Sequence, residues 1–303
     1  MEAPEPGQQR QTQSSATRLT DEERALLPSD EDVRFYRAHG YLISKKIFTD
    51  RDIDSLIRAS ERFYALDLDE PGVPVPEQYR PKGDYGDLLR KHDFATFFSR
   101  ELASLTRSPL LGAIAARLAR APGIRLWADQ LLYKPVDRSG TAAGVGWHTD
   151  RQYWQMCTSG EMLTAWIPFH DCDEEMGTIA FIDGSHRWPD NTADLDFFSS
   201  DLQGLEQRFN SGGSPIVKVP ANLEKGQVSF HHCLTIHGSG PNRSNAPRRS
   251  IAVHFQDESN RYRAHRLPNG ELAFDDAELL CRRVDGVPDF ADPAAFPVLF
   301  RVG

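Results

Sequence analysis

The sequence predicts a mainly β protein with flanking α-helices, in which a helical N-terminal layer precedes a sandwich or closed barrel. Two observations support this prediction. Apolar residues repeat at helical spacing in the first third of the chain. After Pro122 the chain instead contains short apolar runs separated by Gly, Pro, Asp and Asn. Many short strands joined by turns are typical of sandwiches and barrels.

The helical layer is predicted to begin near Pro28. Ser29 is a favoured N-cap residue, acidic residues follow it, and Gly40 is a suitable end for the helix. Thr49 caps a second predicted helix, whose apolar residues repeat about every 3.6 positions. Residues 87–120 are expected to be helical as well.

The β-rich part is expected to consist of short strands in chain order. These are Arg125–Tyr133, Val145–Thr149, Met162–Phe169, Thr178–Ile182, Pro215–Val219, Gln227–His237 and Arg249–Phe255. An earlier strand is predicted over 41–48. One interruption, about residues 190–212, has the pattern of a helical insert and is a candidate lid.

The chain is expected to form one folded domain with a disordered tail. Residues 1–27 are rich in Gln, Ser, Pro and Glu, and such segments do not bury a core. The domain is predicted over 28–303. It would comprise a helical layer over 28–121, a β-rich core over 122–260 and a C-terminal extension over 261–303.

Composition excludes several classes of partner. The net charge of −9 disfavours binding to nucleic acid or to an anionic membrane. No apolar run approaches the roughly 20 residues of a membrane span. Four cysteines without a Cys-x-x-Cys pair indicate reduced thiols in a cytoplasmic protein. We expect a small-molecule substrate, no nucleic acid or membrane partner, and a monomer or homodimer.

Two short motifs have the residue types of a metal site. His148 and Asp150 are two positions apart, so in a strand both side chains lie on one face while Thr149 points away. His237 precedes a run of turn-forming residues that ends at Arg248. Strand-like residues on both sides predict a β-hairpin with a long loop, which would bring His237 near Arg248.

These residue types favour one kind of chemistry. Two histidines and one carboxylate leave three coordination sites open, as in non-haem Fe(II) enzymes that bind a chelating cosubstrate and O₂. An arginine beside such a site pairs bidentately with a carboxylate, and Ser239 could donate a further hydrogen bond. His231 and His232 lie on the same predicted strand as His237. We choose His237 because of its spacing to Arg248.

Four segments resemble the phytanoyl-CoA dioxygenase family of Fe(II)/2-oxoglutarate oxygenases. They read VRFYRAHGYLI, GWHTDRQYW, LTAWIPFHDCDEEMGTIAFIDGSHRW and HGSGPNRSNAPRRSIAVHF, and they span Val33 to Phe255. The resemblance implies a double-stranded β-helix core of the jelly-roll or cupin-like type. It implies Fe(II) ligands at His148, Asp150 and His237, and a site for the C5 carboxylate of 2-oxoglutarate at Arg248 and Ser239.

Three further residues match positions of the family's cofactor pocket: Trp166, Gln130 and Thr149. The family often has Gln at the position of Thr149, so hydrogen bonding around the ligands is expected to differ here. Members that halogenate replace the ligand aspartate by Ala or Gly. The presence of Asp150 therefore favours hydroxylation.

The resemblance implies an enzyme that consumes O₂ and releases succinate and CO₂. It does not fix the substrate, and we expect hydroxylation of an unactivated C–H bond in a small-molecule metabolite, with specialised metabolism as the candidate context. Desaturation, cyclisation or epimerisation by the same oxidant stays open. A zinc-dependent hydrolase and a non-catalytic cupin-like binding module are the alternatives of another class. Candidate substrate contacts at the barrel mouth are Trp127, Tyr133, Arg151, Tyr153 and Trp154.

Overall fold

The computed structural model describes residues 19–73, 75–83, 88–138, 144–189, 195–209 and 211–302. The α-helices are α1 (Asp21–Ala25), α2 (Asp30–His39), α3 (Asp50–Tyr64), α4 (Arg100–Thr106), α5 (Pro109–Ala119) and α6 (Leu202–Glu206). The strands are β1 (Tyr41–Ile43), β2 (Arg90–Asp93), β3 (Gly123–Lys134), β4 (Val145–His148), β5 (Leu163–Pro168), β6 (Ile179–Ile182), β7 (Lys218–Pro220), β8 (Ser229–His232), β9 (His237–Ser239), β10 (Arg248–Asp257), β11 (Arg283–Val284), β12 (Val287–Pro288) and β13 (Val298–Arg301).

Two antiparallel sheets form the core. The larger sheet has the strand order β1-β8-β5-β10-β3-β13, and β2 also pairs with β3. The smaller sheet has the order β4-β9-β6-β7, and β11 and β12 form a separate ribbon. Residues from both sheets line one cavity between them. This arrangement confirms the predicted mainly β fold with a double-stranded β-helix core.

The predicted N-terminal helices are present because their end signals are strong. The Ser29 hydroxyl accepts from the backbone N–H of Asp32, and the Asp32 carboxylate accepts from the backbone N–H of Ser29. Gly40 ends α2 with a φ of 82°, a left-handed conformation that glycine adopts without steric cost. Thr49 and Asp52 cap α3 in the same reciprocal way.

The prediction of helix throughout residues 87–120 is wrong. Residues 90–93 form β2, which pairs antiparallel with β3. The helices α4 and α5 begin only after the N-caps Ser99 and Ser108. Strand β3 is long enough to pair with β13 at one end and β2 at the other, and this pairing outweighs the local helical preference.

The predicted strand Gln227–His237 is two strands in different sheets. β8 pairs with β1 and β5, whereas β9 pairs with β4 and β6. The expected hairpin from His237 to Arg248 is also absent, because β10 lies in the larger sheet between β3 and β5. His237 and Arg248 therefore approach across the interior and not along a ladder. The strand predicted over 41–48 ends at Ile43.

Helical structure is present before the predicted boundary at residue 28. Within the predicted disordered tail, residues 21–25 form α1, with Thr20 and Glu23 as a capping box. Residues 1–18 lie outside the described residues. The predicted helical insert over 190–212 contains one short helix, α6, in its described part, and residues 190–194 and 210 lie outside it.

None of the helices described is long and apolar enough to cross a membrane. Cys157, Cys172, Cys233 and Cys281 are buried free thiols, in agreement with the prediction that the cysteines are reduced.

Trp127 lies in the main hydrophobic core, although the sequence suggested a substrate contact. Its ring is 1% exposed and stacks on Phe296 with the centroids 5.1 Å apart. Phe290 packs against it edge-on at 4.8 Å. Both phenylalanines belong to the C-terminal extension, so this extension completes the core.

Replacing Trp127 with alanine should lower the free energy of unfolding by about 3–5 kcal/mol, because it opens a large cavity in the core. Urea unfolding followed by circular dichroism measures this change. Phe198→Ala is the control, since that ring is 77% exposed and its removal should cost less than about 0.5 kcal/mol. Equal losses in the two variants would contradict the placement of Trp127 in the core.

Candidate metal centre and cosubstrate pocket

Three potential ligands meet where β4 and β9 pair. His148 ends β4 opposite His237, the first residue of β9, and Asp150 follows His148 by two positions. One ligand atom from each of the three side chains lies within 4.8 Å of the others. Throughout the part of the chain that the structure describes, no other cluster of His, Cys, Asp and Glu has this property. All three residues are buried.

Hydrogen bonds to the backbone orient the two imidazoles. His148 Nδ1 lies 2.8 Å from the carbonyl oxygen of Gly146, and His237 Nδ1 lies 3.0 Å from that of Thr235. Because carbonyls only accept, each Nδ1 donates and each Nε2 keeps its lone pair. The Nε2 atoms lie 4.0 and 3.7 Å from Asp150 Oδ1. Burial lowers the pKa of both rings, which favours the neutral form that binds metals.

A chain of side chains holds the carboxylate. Burial alone would raise the pKa of Asp150, but interactions with His237, His231 and His254 hold it well below its usual range. Thr164 Oγ1 donates to Asp150 Oδ2 at 2.6 Å, and Thr164 Oγ1 lies 2.7 Å from His254 Nδ1. An ionised carboxylate only accepts hydrogen bonds, so the Thr164 hydroxyl donates its proton to Asp150. His254 Nδ1–H therefore donates to Thr164 Oγ1. Asp150 Oδ1 faces the imidazoles and fits a cation.

His231 is a neighbour of the triad from the other sheet. Its ring centroid lies 4.2 Å from that of His237, and its Nε2 lies 3.4 Å from Asp150 Oδ2. Neither ring nitrogen of His231 has a hydrogen bond, and the residue is outside the three-ligand cluster. The next residue, His232, accepts from the backbone N–H of Leu234 at 3.1 Å and lines neither cavity described here.

Two buried cations lie deeper in the barrel. Arg248 opens β10 opposite Lys134 of β3, and both side chains are 1% exposed. Lys134 Nζ donates to Ser239 Oγ and to the carbonyl of Gly240, each at 2.6 Å. The Arg248 guanidinium carbon lies 5.3 Å from the Trp166 ring centroid, and its Nε has no partner. No carboxylate forms a salt bridge with either cation in the described residues.

This pair of cations fits an anion. Burial lowers the pKa of Arg248 to about 10 and that of Lys134 well below its usual range, the charge of Arg248 adding to the effect at Lys134. A buried charge is costly unless it is paired, and a carboxylate would pair with both. Gly177 directs its carbonyl onto Arg248 Nη1. A Cβ at Gly177 would lie 2.8 Å from two backbone oxygens.

Most of the residues predicted for the site line a cavity with the triad. The inner pocket is lined by Ser239, Arg248, Trp166 and Gln130, together with the three candidate ligands. An outer cavity of about 240 Å³ shares His148, Asp150 and Gln130 with it and includes Tyr153 and Trp154. The described part of the insert contributes Phe197 and Phe198 to the outer wall, where a lid was expected.

Besides Trp127, three predicted residues line neither cavity. Thr149 is fully buried between the two ligands, with its hydroxyl unpartnered. Tyr133 lies beneath the guanidinium groups of Arg90 and Arg249. Arg151 donates to the carbonyls of Cys157 and Ser159 and so supports the segment after the triad.

Sequence reasoning missed the residues that support the site. His254 could have been predicted, because it lies an even number of positions after Arg248 on one strand and both side chains therefore lie on the same face. Lys134 and Thr164 had no sequence signal, since only the sheet register brings them to Ser239 and Asp150. The same is true of the outer-cavity residues from β2 and from the C-terminal extension, which are Lys91, Asp93, Phe274, Asp275 and Asp276.

Two facing antiparallel sheets, a buried His-Asp-His cluster and an uncompensated cation pocket define a non-haem Fe(II)/2-oxoglutarate-dependent oxygenase. Comparison with known families agrees. The family model described as phytanoyl-CoA dioxygenase (PhyH) matches residues 36–250, and the chain belongs to this family.

Curated relatives are distant but cover most of the chain. Peroxisomal phytanoyl-CoA dioxygenase of Bos taurus is 25% identical over 239 residues, which cover 77% of this chain and 69% of the relative. A probable alpha-ketoglutarate-dependent hypophosphite dioxygenase of Stutzerimonas stutzeri is 24% identical over 234 residues, covering 74% and 77%.

Solved structures share the fold. The non-heme alpha ketoglutarate dependent carbocyclase SnoK from nogalamycin biosynthesis superposes with a TM-score of 0.65 at 26% identity, covering 89% of this chain and 96% of SnoK. The epimerase SnoN, solved with Fe3+, alpha ketoglutarate and nogalamycin RO, gives a TM-score of 0.63 at 23% identity, covering 91% and 99%.

Thr164→Val should weaken Fe(II) binding by about 10–100-fold, because it removes the hydrogen bond that holds Asp150. Anaerobic Fe(II) titration measures the affinity. Thr178→Val is the matched control, since that buried hydroxyl donates only to the carbonyl of Ala221, at 2.6 Å. If both variants bound Fe(II) like the wild type, Thr164 would have no part in holding the ligand.

Proposed function

We propose that this oxygenase hydroxylates an unactivated C–H bond of a small-molecule metabolite. His148, Asp150 and His237 would hold Fe(II), and Arg248 with Ser239 would bind the C5 carboxylate of 2-oxoglutarate. The observation that supports this assignment best is the pair of buried cations without a counter-ion, placed in the same pocket as the three candidate ligands. A zinc hydrolase or a passive binding module gives no reason for such a pair.

When bound, Fe(II) with 2-oxoglutarate and O₂ supplies the oxidant and releases succinate and CO₂. The protein's part is to bind, orient and exclude water. Lys134 donates to Ser239 Oγ, so the Ser239 proton is free to point at a carboxylate. Trp166 stacks under Arg248 and donates its indole N–H to Ser250 at 3.1 Å, which fixes the floor of the pocket.

The outer cavity is the proposed substrate site. It opens directly onto His148 and Asp150, and the rings of Tyr153, Trp154 and Phe197 form much of its wall. A backbone hydrogen bond connects the insert to β4, the strand that carries His148: Gly146 N–H donates to the carbonyl of Phe197 at 2.9 Å. These contacts would keep a bound substrate close to the metal and shielded from water.

A second outcome of the same oxidation has specific support. The carbocyclase SnoK covers 89% of this chain at 26% identity. Ring closure and hydroxylation differ in where the substrate lies, by distances of about 1 Å. Mass spectrometry of the product distinguishes them. Hydroxylation adds one oxygen atom, cyclisation or desaturation removes two hydrogen atoms, and epimerisation leaves the mass unchanged.

The cosubstrate anchor is tested by anaerobic titration with Fe(II) and 2-oxoglutarate. The wild type should develop the weak visible absorption of the chelate, and Arg248→Ala should need at least about tenfold more 2-oxoglutarate, because a buried charged hydrogen bond is lost. Arg249→Ala is the control, since the neighbouring side chain is directed towards Glu61. Stoichiometric binding of zinc with no chelate absorption would overturn the proposal.

The ligand set is tested by comparing two histidines that lie 4.2 Å apart. His237→Ala should abolish stoichiometric Fe(II) binding, whereas His231→Ala should retain it, because only His237 has an Nδ1 hydrogen bond that presents Nε2. Metal analysis after gel filtration measures both. The reverse result would show that the assignment of His237 is wrong.

A further inference from the structure

The outer cavity presents more hydrogen-bond acceptors than donors. Three carboxylates that are not candidate ligands line it, from Asp93, Asp275 and Asp276. Lys91 is the basic side chain among its lining residues and already pairs with Asp93 at 2.9 Å. No salt bridge joins Asp275 or Asp276 to a basic side chain within the described ranges. Asp275 accepts a hydrogen bond from the backbone N–H of Ala277 at 2.9 Å, but no described basic side chain offsets the carboxylates of Asp275 and Asp276 in this part of the cavity.

A buried acceptor lies at the metal end of the same cavity. His254 is 4% exposed and lines both the inner pocket and the outer cavity. Its Nδ1–H is used by Thr164, and its Nε2 has no partner. Burial lowers the pKa of His254 to about 4, so Nε2 holds a lone pair at neutral pH. An unpartnered acceptor of this kind indicates that a ligand supplies an N–H or O–H donor.

Aromatic rings form the walls between these two polar ends. Trp154 packs against His254 with the ring centroids 5.0 Å apart, and Phe94, Phe197 and Phe274 also line the cavity. Ring faces attract cations and bury carbon frameworks. Aromatic walls combined with carboxylates are therefore suited to a cationic organic molecule and unsuited to an anion.

The free-energy cost of holding two carboxylates without a basic partner supports a cationic ligand. Burial, together with the nearby charges of Asp276, Asp93 and Glu278, raises the pKa of Asp275 to about 7. A bound cation would offset both the burial and the repulsion, whereas a bound anion would increase them.

We propose that the substrate carries a protonated amine, which binds at Asp275 and Asp276. A hydrogen-bond donor near the reacting carbon would engage His254 Nε2, and the carbon framework would lie between the aromatic walls. This inference rests on the proposed function, since it names the substrate class of the same site.

Three probes that share a phenylethyl group and end in a cationic, a neutral or an anionic group test this inference. They are 2-phenylethylamine, 2-phenylethanol and 3-phenylpropionate, each titrated by calorimetry into protein loaded anaerobically with Fe(II) and 2-oxoglutarate. The amine should bind about tenfold more tightly than the alcohol, and the carboxylate most weakly, as expected for a charged hydrogen bond.

The double variant Asp275→Asn/Asp276→Asn should reduce the amine to the affinity of the alcohol, while the visible absorption of the Fe(II)/2-oxoglutarate chelate stays intact. Asn keeps the capping ability of Asp275, so the variant should fold. Glu31→Gln on the exposed side of α2 is the control and should change neither affinity.

No binding of the amine, equal or tighter binding of the alcohol or carboxylate, or an amine affinity that survives the double variant would overturn the inference. In each case intact chelate absorption in the wild type would leave the proposed function standing. Loss of that absorption in the wild type would overturn the proposed function itself.

Discussion

The pairing of β10 between β3 and β5 is the constraint on which the site depends. Side chains alternate along a strand, so Arg248, Ser250, Ala252 and His254 all lie on its inner side. The register with β3 places Lys134 beside Arg248, and the register with β5 places Thr164 beside His254. A register shift between His254 and Phe255 follows immediately, which ends the strict alternation just past the site. One strand therefore positions both the anion pocket and the support of the carboxylate ligand.

The smaller sheet provides the opposite half of the site. Its strands β4 and β9 carry the two candidate histidine ligands, and Ser239 follows His237 on the same face. The interior between the sheets thus holds buried groups of both signs, with the carboxylate at one end and the two cations at the other. Each sheet alone would leave these groups exposed or unpaired. The site therefore requires both sheets of the jelly roll to face each other.

The sequence was sufficient for the fold class, for the three residues of the triad and for Arg248 and Ser239, because short motifs such as His148-x-Asp150 combine with strand alternation. It was insufficient where long-range pairing decides the structure. Residues 90–93 form a strand only because β3 offers them an edge, and β8 and β9 separate because they join different sheets. The sequence suggested Trp127 as a substrate contact, because nothing in the sequence shows that the C-terminal extension packs over its ring. The roles of Lys134 and Thr164 depend on hydrogen bonds to residues that lie more than a dozen positions away in the sequence.

The position of the two histidines on paired strands has a thermodynamic consequence. His148 and His237 are far apart in sequence and become neighbours only when β4 and β9 form their ladder. The unfolded chain has no such arrangement, so a metal ion that needs both rings binds the native state alone. By mass action, free metal above its dissociation constant then adds to the stability of the whole fold. The concentration of available iron would in this way set not only how much of the enzyme is active but how much of it is folded.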